Sequence, residues 1–267
     1  MKLKFISLSS GSSGNCYYLS ADGEGILVDA GIPARQIRES LGKYGIAFES
    51  IRAVFVTHDH ADHIKSLGTL GEKFHLPIYA TRKTHSGINS NYCMTEKLSA
   101  SCSRYLEKEE PLQFGNFVIT AFEVPHDGTD NVGYLIEADG RKFCFVTDLG
   151  HITDVVARYA LQANYLIFEA NYDEDMLRMG HYPDFLKKRI TSPFGHLSNR
   201  TTAQFLAENM NENIKHVWLC HLSGENNHPE IAYKTVEFSL REVGIIPGKD
   251  VELTALKRTT PSELYEY

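Results

Sequence analysis

The stretch His58-Asp59-His60-Ala61-Asp62-His63 constrains this chain more than any other part of its sequence. It follows Ile51–Val56, an apolar stretch rich in β-branched residues that predicts a buried strand. Histidines and carboxylates on the spacing H-x-H-x-D-H are costly to bury without a cation, which disfavours a polar turn merely rich in histidine. Imidazole nitrogen and carboxylate oxygen together suit a borderline divalent ion. The motif therefore predicts a site for zinc, or for manganese if oxygen ligands dominate.

Length and composition indicate an ordinary globular protein. The chain has 267 residues, which suits one large α/β domain or two small ones, and 42% of them are hydrophobic and 23% charged. No linker-like segment separates two halves, so a single domain over residues 1–267 is predicted. No apolar run is long enough to span a membrane and no signal peptide is evident, which predicts a cytoplasmic protein without membrane attachment.

Cysteine usage and net charge bear on the compartment and the partners. The five cysteines form no C-x-x-C pair, which favours free thiols in a reducing compartment. The net charge of −7 argues mildly against broad nucleic-acid binding through the overall field. Two bound divalent ions would, however, add about +4 at the site itself, where the charge of the ions dominates.

Residues that can bind metals recur where predicted strands end. These strands are Asn116–Val124 before His126, Lys142–Thr147 before Asp148, Asn164–Phe168 before Glu169, and Ile214–Cys220 before His221. Helical patterns cover Ile64–Phe74, Ile152–Gln162, Asp173–Met179, Pro183–Ile190, Ser198–Asn209 and Pro229–Val243. The repetition predicts an α/β fold that builds one site from loops along one edge of its sheets.

Two features near the N-terminus each allow two interpretations. Ser9–Asn15 is dense in hydroxyls and glycine, so it either presents backbone N–H groups to an anion or forms a flexible hairpin loop. Under the first interpretation, Ser12 and Asn15 are candidate substrate contacts. Asp29 ends a predicted strand, where its carboxylate either holds a ligand histidine or caps a helix over Pro33–Tyr44.

The ligand-capable residues resemble, in order and separation, the metal-binding set of the metallo-β-lactamase-fold hydrolases. The resemblance covers nearly the whole chain and implies a four-layer αββα sandwich that holds two divalent metal ions. It assigns His58, His60 and His126 to one metal, Asp62, His63 and His221 to the other, and Asp148 to a bridging position. His60 departs from the iron redox branch of this fold, and Asp148 stands where the thiol-ligated antibiotic-hydrolysing branch has a cysteine.

A narrower resemblance concerns the YycJ/WalJ group of bacterial cytoplasmic proteins, which are exonuclease-like. It is carried by the segments Ser10–Asn15, Gly195–Asn199 and Cys220–Asn227. This resemblance implies a nuclease or phosphodiesterase that acts 5′→3′ on DNA ends. Glu169 and His196 also resemble the Glu–His couple that assists proton transfer in tRNA-processing RNase Z.

Three residues are therefore candidate catalytic groups. His196 would donate a proton to the leaving alkoxide, with Glu169 orienting it and keeping it protonated. The alternative is that His196 is structural, because it immediately precedes the helix start at Ser198. Asp62 is predicted to act in catalysis as well as in metal binding.

Further candidate substrate contacts lie in the second half of the chain. Lys187 and Lys188, with Arg200, are placed to follow a phosphate backbone, or they belong to an ordinary solvated helix face. Asn226 follows His221 closely enough to line the mouth of the site, although a turn is the simpler interpretation.

Three functions are consistent with these patterns. The first is a dinuclear phosphodiesterase acting on nucleic-acid ends, which the Glu169/His196 pair and the basic residues favour. The second is a hydrolase of a small-molecule ester, thioester or cyclic phosphodiester, which the acidic net charge favours. The third is a metal-loaded scaffold, which has no need of the complete ligand set.

Overall fold

The computed structural model describes residues 2–267 and divides into two compact units. The first unit contains the residues up to Ala121, together with Gly128–Val132 and Lys257–Tyr267. The second unit contains Phe122–Asp127 and Gly133–Leu256. The single domain over residues 1–267 stays a prediction.

The chain combines fourteen short strands with eight α-helices over the described residues 2–267. The strands are β1 (Leu3–Gly11), β2 (Gly14–Ala21), β3 (Glu24–Val28), β4 (Ile51–Phe55), β5 (Ile78–Ala80), β6 (Ser103–Tyr105), β7 (Leu112–Phe114), β8 (Phe117–Glu123), β9 (Val132–Ala138), β10 (Arg141–Val146), β11 (Tyr165–Glu169), β12 (His216–Cys220), β13 (Glu252–Ala255) and β14 (Tyr265–Glu266). The α-helices are α1 (Ala34–Gly42), α2 (Ala61–Ile64), α3 (Arg82–Ser90), α4 (Asp154–Ala160), α5 (Glu174–Met179), α6 (Asp184–Ile190), α7 (Asn199–Asn209) and α8 (Pro229–Glu242).

The first unit is built on a seven-stranded sheet with the order β14-β1-β2-β3-β4-β5-β6. Strands β1 to β3 are antiparallel to one another, whereas β3 to β6 run parallel. Apolar side chains of α1, α2 and α3 share one buried core with those of the sheet, as Ile37, Ile64 and Ile88 do with Leu27 and Val54. The parallel pairing of β3 with β4 brings the ends of these two strands to the same edge.

The second seven-stranded sheet has the order β13-β12-β11-β10-β9-β8-β7. Strands β10 to β13, in the second unit, pair in parallel, so their carboxyl ends lie along one edge. Helices α4, α7 and α8 bury Val156, Leu206 and Val236 in the same core as Leu166 and Val217 of the sheet. The predicted α/β class is confirmed in both units.

The longer predicted helices of the second unit are confirmed. Ser198 is the N-cap of α7, and its hydroxyl accepts a hydrogen bond from Thr201 N at 3.1 Å. Helices α4, α5, α6 and α8 lie within or close to the predicted segments. Among residues 2–267, no helix has both the length and the hydrophobicity that a membrane-spanning segment requires.

The predicted helix over Ile64–Phe74 is wrong in its bounds. The structure has the short helix α2, which begins at Ala61, and a separate π-helical turn over Thr69–Lys73. The backbone N–H of Ser66 donates to the carbonyl of Ala30 at 2.9 Å, outside the helix. The tertiary hydrogen bond to the loop after β3 thus interrupts the helical ladder.

Ser9–Asn15 is not a long loop. Strands β1 and β2 continue until Gly11 pairs with Gly14, which leaves a tight turn at Ser12 and Ser13. The Ser9 hydroxyl donates to the Gly14 carbonyl at 2.7 Å. The strands β6, β7 and β14 were not predicted, because two or three residues carry too little alternation to be recognised.

Candidate metal centre

In the first unit, the motif residues gather where β4 ends and α2 begins. His60 is the N-cap residue of α2, and Asp62 and His63 lie in its only turn. The imidazole ring of His58 has its centroid 4.6 Å from that of His60 and 4.1 Å from that of His63. Asp62 Oδ2 lies 3.5 Å from His63 Nε2. The motif therefore folds into one compact group of imidazoles and a carboxylate.

Asp29, the residue after β3, accepts hydrogen bonds from this group. Its Oδ2 accepts a hydrogen bond from Nδ1 of His63 at 2.7 Å, and its Oδ1 accepts one from the backbone N–H of Thr57 at 2.8 Å. Burial raises the pKa of Asp29, and the hydrogen bonds from His63 and Thr57 oppose that rise. Of the two interpretations of Asp29, the helix cap is wrong, because Pro33 is the N-cap residue of α1.

Asn15 is a buried neighbour of the same group. Its Nδ2 lies 3.2 Å from Asp62 Oδ2 and 2.9 Å from His63 Nε2, while its Oδ1 accepts from the Gly11 N–H at 3.0 Å. The amide therefore donates to the Nε2 lone pair that a metal would take. A cation held by His63 would replace that hydrogen bond and leave the one to Asp62. A direct contact of Asn15 with substrate stays a prediction.

The loop after β3 can approach α2 only because residue 31 is glycine. A Cβ atom added at Gly31 would lie 1.6 Å from the carbonyl oxygen of Asp62, which is sterically impossible. The neighbouring Ala30 N–H donates to the His63 carbonyl at 2.8 Å. Backbone contacts thus hold the helix that carries two of the predicted ligands.

In the second unit, Glu169 at the end of β11 is the centre of a second group. Its Oε1 accepts hydrogen bonds from Nδ1 of His196 at 2.7 Å and from Nδ1 of His221 at 2.9 Å. Its Oε2 accepts from the backbone N–H groups of Leu149 and Leu197 at 2.9 and 3.0 Å. The four donors use the acceptor capacity of a carboxylate, so Glu169 orients its neighbours and is not available as a metal ligand.

The environment of Glu169 also determines its charge. Complete burial disfavours the ionised carboxylate, but the imidazoles of His196 and His221 outweigh that effect and lower the pKa of Glu169. The buried carboxylate is therefore anionic at neutral pH. It stabilises positive charge on either imidazole at the time when that imidazole carries a second proton.

Asp148, just after β10, faces three histidines of the second unit. Its Oδ1 lies 3.3 Å from Nδ1 of His221, 3.7 Å from Nε2 of His126 and 4.0 Å from Nδ1 of His196. One ligand-capable atom from each of Asp148, Glu169, His196 and His221 lies within 4.8 Å of the others. The parallel strands β10, β11 and β12 thus deliver Asp148, Glu169 and His221 to one edge of their sheet. His196 joins them from the loop that precedes α7.

Three predicted histidine ligands share one hydrogen-bonding arrangement, in which Nδ1 faces an acceptor. The pairs are His63 with Asp29 at 2.7 Å, His126 with the Gly195 carbonyl at 2.8 Å, and His221 with Glu169 at 2.9 Å. An Nδ1–H that donates to these oxygens leaves the lone pair on Nε2, the form in which histidine binds a metal. Metal-bound histidines usually have such a partner. The residues present therefore fit divalent metal ions.

The predicted substrate contacts lie in different environments. Ser12 is exposed in the turn between β1 and β2, whereas Asn226 is buried. Arg200 is exposed near Glu174, with 3.5 Å between Nε and Oε2. Lys187 and Lys188 line a cavity of about 550 Å³ between α5 and α6.

Several supporting residues were not predicted from the sequence. Asn171 donates from Nδ2 to the carbonyl of His221 at 2.7 Å. This hydrogen bond helps to hold the backbone of His221 in its left-handed conformation, with φ of 54°. Asp127 accepts two hydrogen bonds from the Arg189 guanidinium, at 2.6 and 3.1 Å. Asp127 directly follows His126, which is the one sequence signal that pointed to it.

Comparison with known proteins identifies the family. Residues 25–221 match the family model described as a β-lactamase superfamily domain, so the chain belongs to the metallo-β-lactamase superfamily of hydrolases. The chain is 33% identical over 267 residues to the exodeoxyribonuclease YycJ of Bacillus anthracis, covering 99% of each chain. It is 34% identical to the exodeoxyribonuclease WalJ of Streptococcus pneumoniae, covering 98% of this chain and 97% of that one. The predicted resemblance to the YycJ/WalJ group is confirmed.

A solved structure shows the same fold. The metallo-β-lactamase fold protein YhfI from Bacillus subtilis superposes on this chain with a TM-score of 0.72. The superposition covers 100% of both chains at 19% sequence identity. The predicted metallo-β-lactamase fold is confirmed, and at this identity the likeness extends to the fold alone.

Proposed function

We propose that this hydrolase is a dinuclear metal-dependent phosphodiesterase that removes nucleotides from DNA ends in the 5′→3′ direction. The observation that carries the proposal is the hydrogen bond of 2.7 Å between Glu169 and His196, within one group with Asp148 and His221. A phosphodiester needs a proton for its departing alkoxide, and this pair supplies a donor beside predicted metal ligands.

Two divalent metal ions are proposed, zinc first and manganese as the alternative. His58, His60 and His126 would hold one ion, Asp62, His63 and His221 the other, and Asp148 both. All of these residues lie within the matched superfamily segment, residues 25–221. The ions would supply a hydroxide nucleophile at neutral pH and charge stabilisation for the phosphoryl oxygens.

The side chains of the protein supply proton donation and charge stabilisation. His196 donates its Nδ1–H to Glu169, which directs Nε2 away from the carboxylate toward the leaving oxygen. Glu169 stabilises the positive charge on His196 before the proton is transferred. Asp62, about a fifth exposed, is proposed to act in catalysis in addition to binding metal. The ring of His196 lies 5.1 Å from that of His221, centroid to centroid, so donor and ligand act on one site.

DNA is the proposed substrate because of the relatives and the surface charge. Both relatives are named exodeoxyribonucleases. Lys187 and Lys188 lie on α6, whose last residue, Ile190, accepts a hydrogen bond from the His196 N–H at 2.8 Å. Cations on a helix that contacts the proposed proton donor suit a phosphate backbone. Ser12, Asn15, Arg200 and Asn226 are kept as proposed substrate contacts.

A second candidate function is hydrolysis of a small-molecule ester, thioester or cyclic phosphodiester. The net charge of −7 favours it, because an acidic protein repels long polyanions to some extent. Such an enzyme would use the same ligands and would not discriminate among nucleic-acid ends.

The test is a substrate panel for purified protein loaded with zinc or manganese. End-labelled duplex DNA, single-stranded DNA, RNA, covalently closed circular DNA and a chromogenic phosphodiester are offered separately. The proposal predicts release of mononucleotides from linear DNA and none from closed circles. Asp148→Ala should be inactive, whereas Asp154→Ala, an exposed residue in the first turn of α4, is the matched control. Hydrolysis of the chromogenic substrate without any cleavage of DNA would favour the small-molecule hydrolase.

A further inference from the structure

The segment around α6 exposes three large apolar side chains. Phe185, in the first turn of α6, is 75% exposed, and Met179 before it is 70% exposed. Phe194, after the helix, is 55% exposed, with its ring 6.3 Å from that of His151. Large apolar side chains clustered at the surface mark an interaction site more often than isolated ones do.

Two contacts connect this segment to the proposed catalytic group of the second unit. At its end, the Ile190 carbonyl accepts from the His196 N–H at 2.8 Å. Through Arg189, two hydrogen bonds of 2.6 and 3.1 Å bind it to Asp127, the neighbour of His126. Lys188 and Phe185 therefore lie two and five positions before the residue of α6 that contacts the proposed proton donor.

Some of the cationic side chains on and near α6 are paired with carboxylates, and others have no carboxylate partner among the described residues. Arg189 is neutralised by Asp127, and Arg178 by Asp175 at 2.7 Å. By contrast, no carboxylate of residues 2–267 lies within 4.0 Å of the Lys188 ammonium group. Lys188 is three positions after Phe185, so both side chains lie on one face of the helix. In a chain of net charge −7, this uncompensated cation favours an anionic partner.

We propose that Phe185 and Lys188, which we call the α6 face, bind an unpaired nucleotide strand at the end of a DNA substrate. An exposed aromatic ring stacks on any unpaired base, and a neighbouring lysine neutralises a phosphate of the same strand. Bases within a duplex hide their faces, so the partner is the single-stranded end and not the helix. The inference rests on the proposed function and specifies which form of DNA the site receives.

The experiment measures binding and cleavage separately. Phe185→Ala and Lys188→Gln are compared with Phe238→Ala, a control at a 64% exposed phenylalanine on α8. Binding is followed by fluorescence anisotropy of a labelled duplex with a 5′ overhang and phosphorothioate linkages that resist cleavage. Phe185→Ala should weaken binding of the overhang by about 5- to 150-fold, since loss of one stacked base costs about 1–3 kcal/mol. Phe185→Trp should restore it.

The salt dependence tests the charge separately from the ring. Lys188→Gln should reduce the slope of log K against log salt by about 0.7 to 0.9, the value for one lost phosphate contact. Phe238→Ala should bind and cleave like the unmodified protein. For Phe185→Ala, the ratio of activity on overhang DNA to activity on the chromogenic diester should fall.

Each outcome bears on one of the two proposals. If the unmodified protein cleaves linear DNA but Phe185→Ala binds the overhang as tightly as Phe238→Ala does, the α6 face is wrong and the proposed function stands. If Phe185→Ala instead changes the molar mass measured by light scattering and leaves DNA affinity intact, the face contacts a second copy of the chain and the inference is overturned. If the unmodified protein neither binds nor cleaves DNA, both proposals fail.

Discussion

Nδ1 of His196 and Oε1 of Glu169 lie 2.7 Å apart, and the same oxygen accepts a hydrogen bond from His221. One buried carboxylate thus orients both the proposed proton donor and a proposed metal ligand. Removing the donor and removing the carboxylate should therefore have different consequences. The first affects proton transfer alone, and the second also affects the position of His221.

His196→Ala should slow cleavage of DNA by about 10²- to 10⁴-fold, the usual contribution of a general acid. The slowing should be smaller for a nitrophenyl phosphodiester, because its leaving group departs without a proton. Rates on both substrates and the metal content, measured by mass spectrometry, check this. Loss of metal in His196→Ala would show that His196 is a ligand and not a donor.

Glu169→Gln should lower activity on DNA and on the nitrophenyl diester together. The amide keeps one acceptor oxygen in place of two. Either the two imidazole Nδ1–H groups or the backbone N–H groups of Leu149 and Leu197 therefore lose their acceptor. The free energy of unfolding should fall by about 1–3 kcal/mol for each buried donor left unpaired. Chemical denaturation measures the fall, and an unchanged midpoint would contradict the four-donor arrangement.

Asp29→Ala should weaken metal binding, although Asp29 itself is not a proposed metal ligand. His63 loses the acceptor that fixes its tautomer, and removal of such a partner typically costs about 10- to 100-fold in metal affinity. Competition with a chromogenic chelator gives the affinity. Asp29→Asn, which keeps an oxygen of the same shape, should lose less. Equal affinities for Asp29→Ala and the unmodified protein would be inconsistent with this role.

His216 should make the protein less stable in acid. It begins β12, and its ring stacks on Trp218 with 3.8 Å between centroids. Burial lowers its pKa to about 4, against about 6.5 in an unfolded chain. Between these two values the unfolded state binds the proton and the folded state does not. The contribution of His216 to the free energy of unfolding is therefore fully present above pH 6.5. It is lost as the pH is lowered toward 4, and the loss is at most about 3 kcal/mol.

His216→Gln removes this titration, so its unfolding free energy should depend less on pH between about 6.5 and 4. His75→Gln, at an exposed histidine, is the matched control. Urea unfolding at a series of pH values provides the comparison. Parallel curves for the unmodified protein and His216→Gln would show that the burial of His216 has no such effect.

The residues at strand ends could be predicted because each follows an apolar run that is long enough to recognise. His58, Asp148 and His221 are examples, and the parallel sheet order explains why they lie on sheet edges. The pairing of Asp29 with His63 remained one of two interpretations. It joins residues 34 positions apart through the register of β3 on β4, which hydrophobic alternation does not determine.

The supporting contacts were beyond prediction for a similar reason. Asn171 bonds the backbone of His221 across 50 positions, and Asn15 reaches Asp62 across 47. Asparagine is common in turns, so its type and place alone give no indication of such a partner. The predicted helix over Ile64–Phe74 had the wrong bounds, because a backbone hydrogen bond to a distant loop interrupts the local helical pattern.

The bidentate contact between Arg189 and Asp127 has a practical consequence for anyone who wishes to alter substrate preference. Changes to Arg189 would disturb the loop of His126 and confuse altered preference with damaged metal loading. Phe185 and Lys188 lie on the same helix and make no such contact with Asp127. A library confined to these two positions would vary the proposed strand-binding face while leaving the anchoring arginine, and the proposed catalytic group beside it, unchanged.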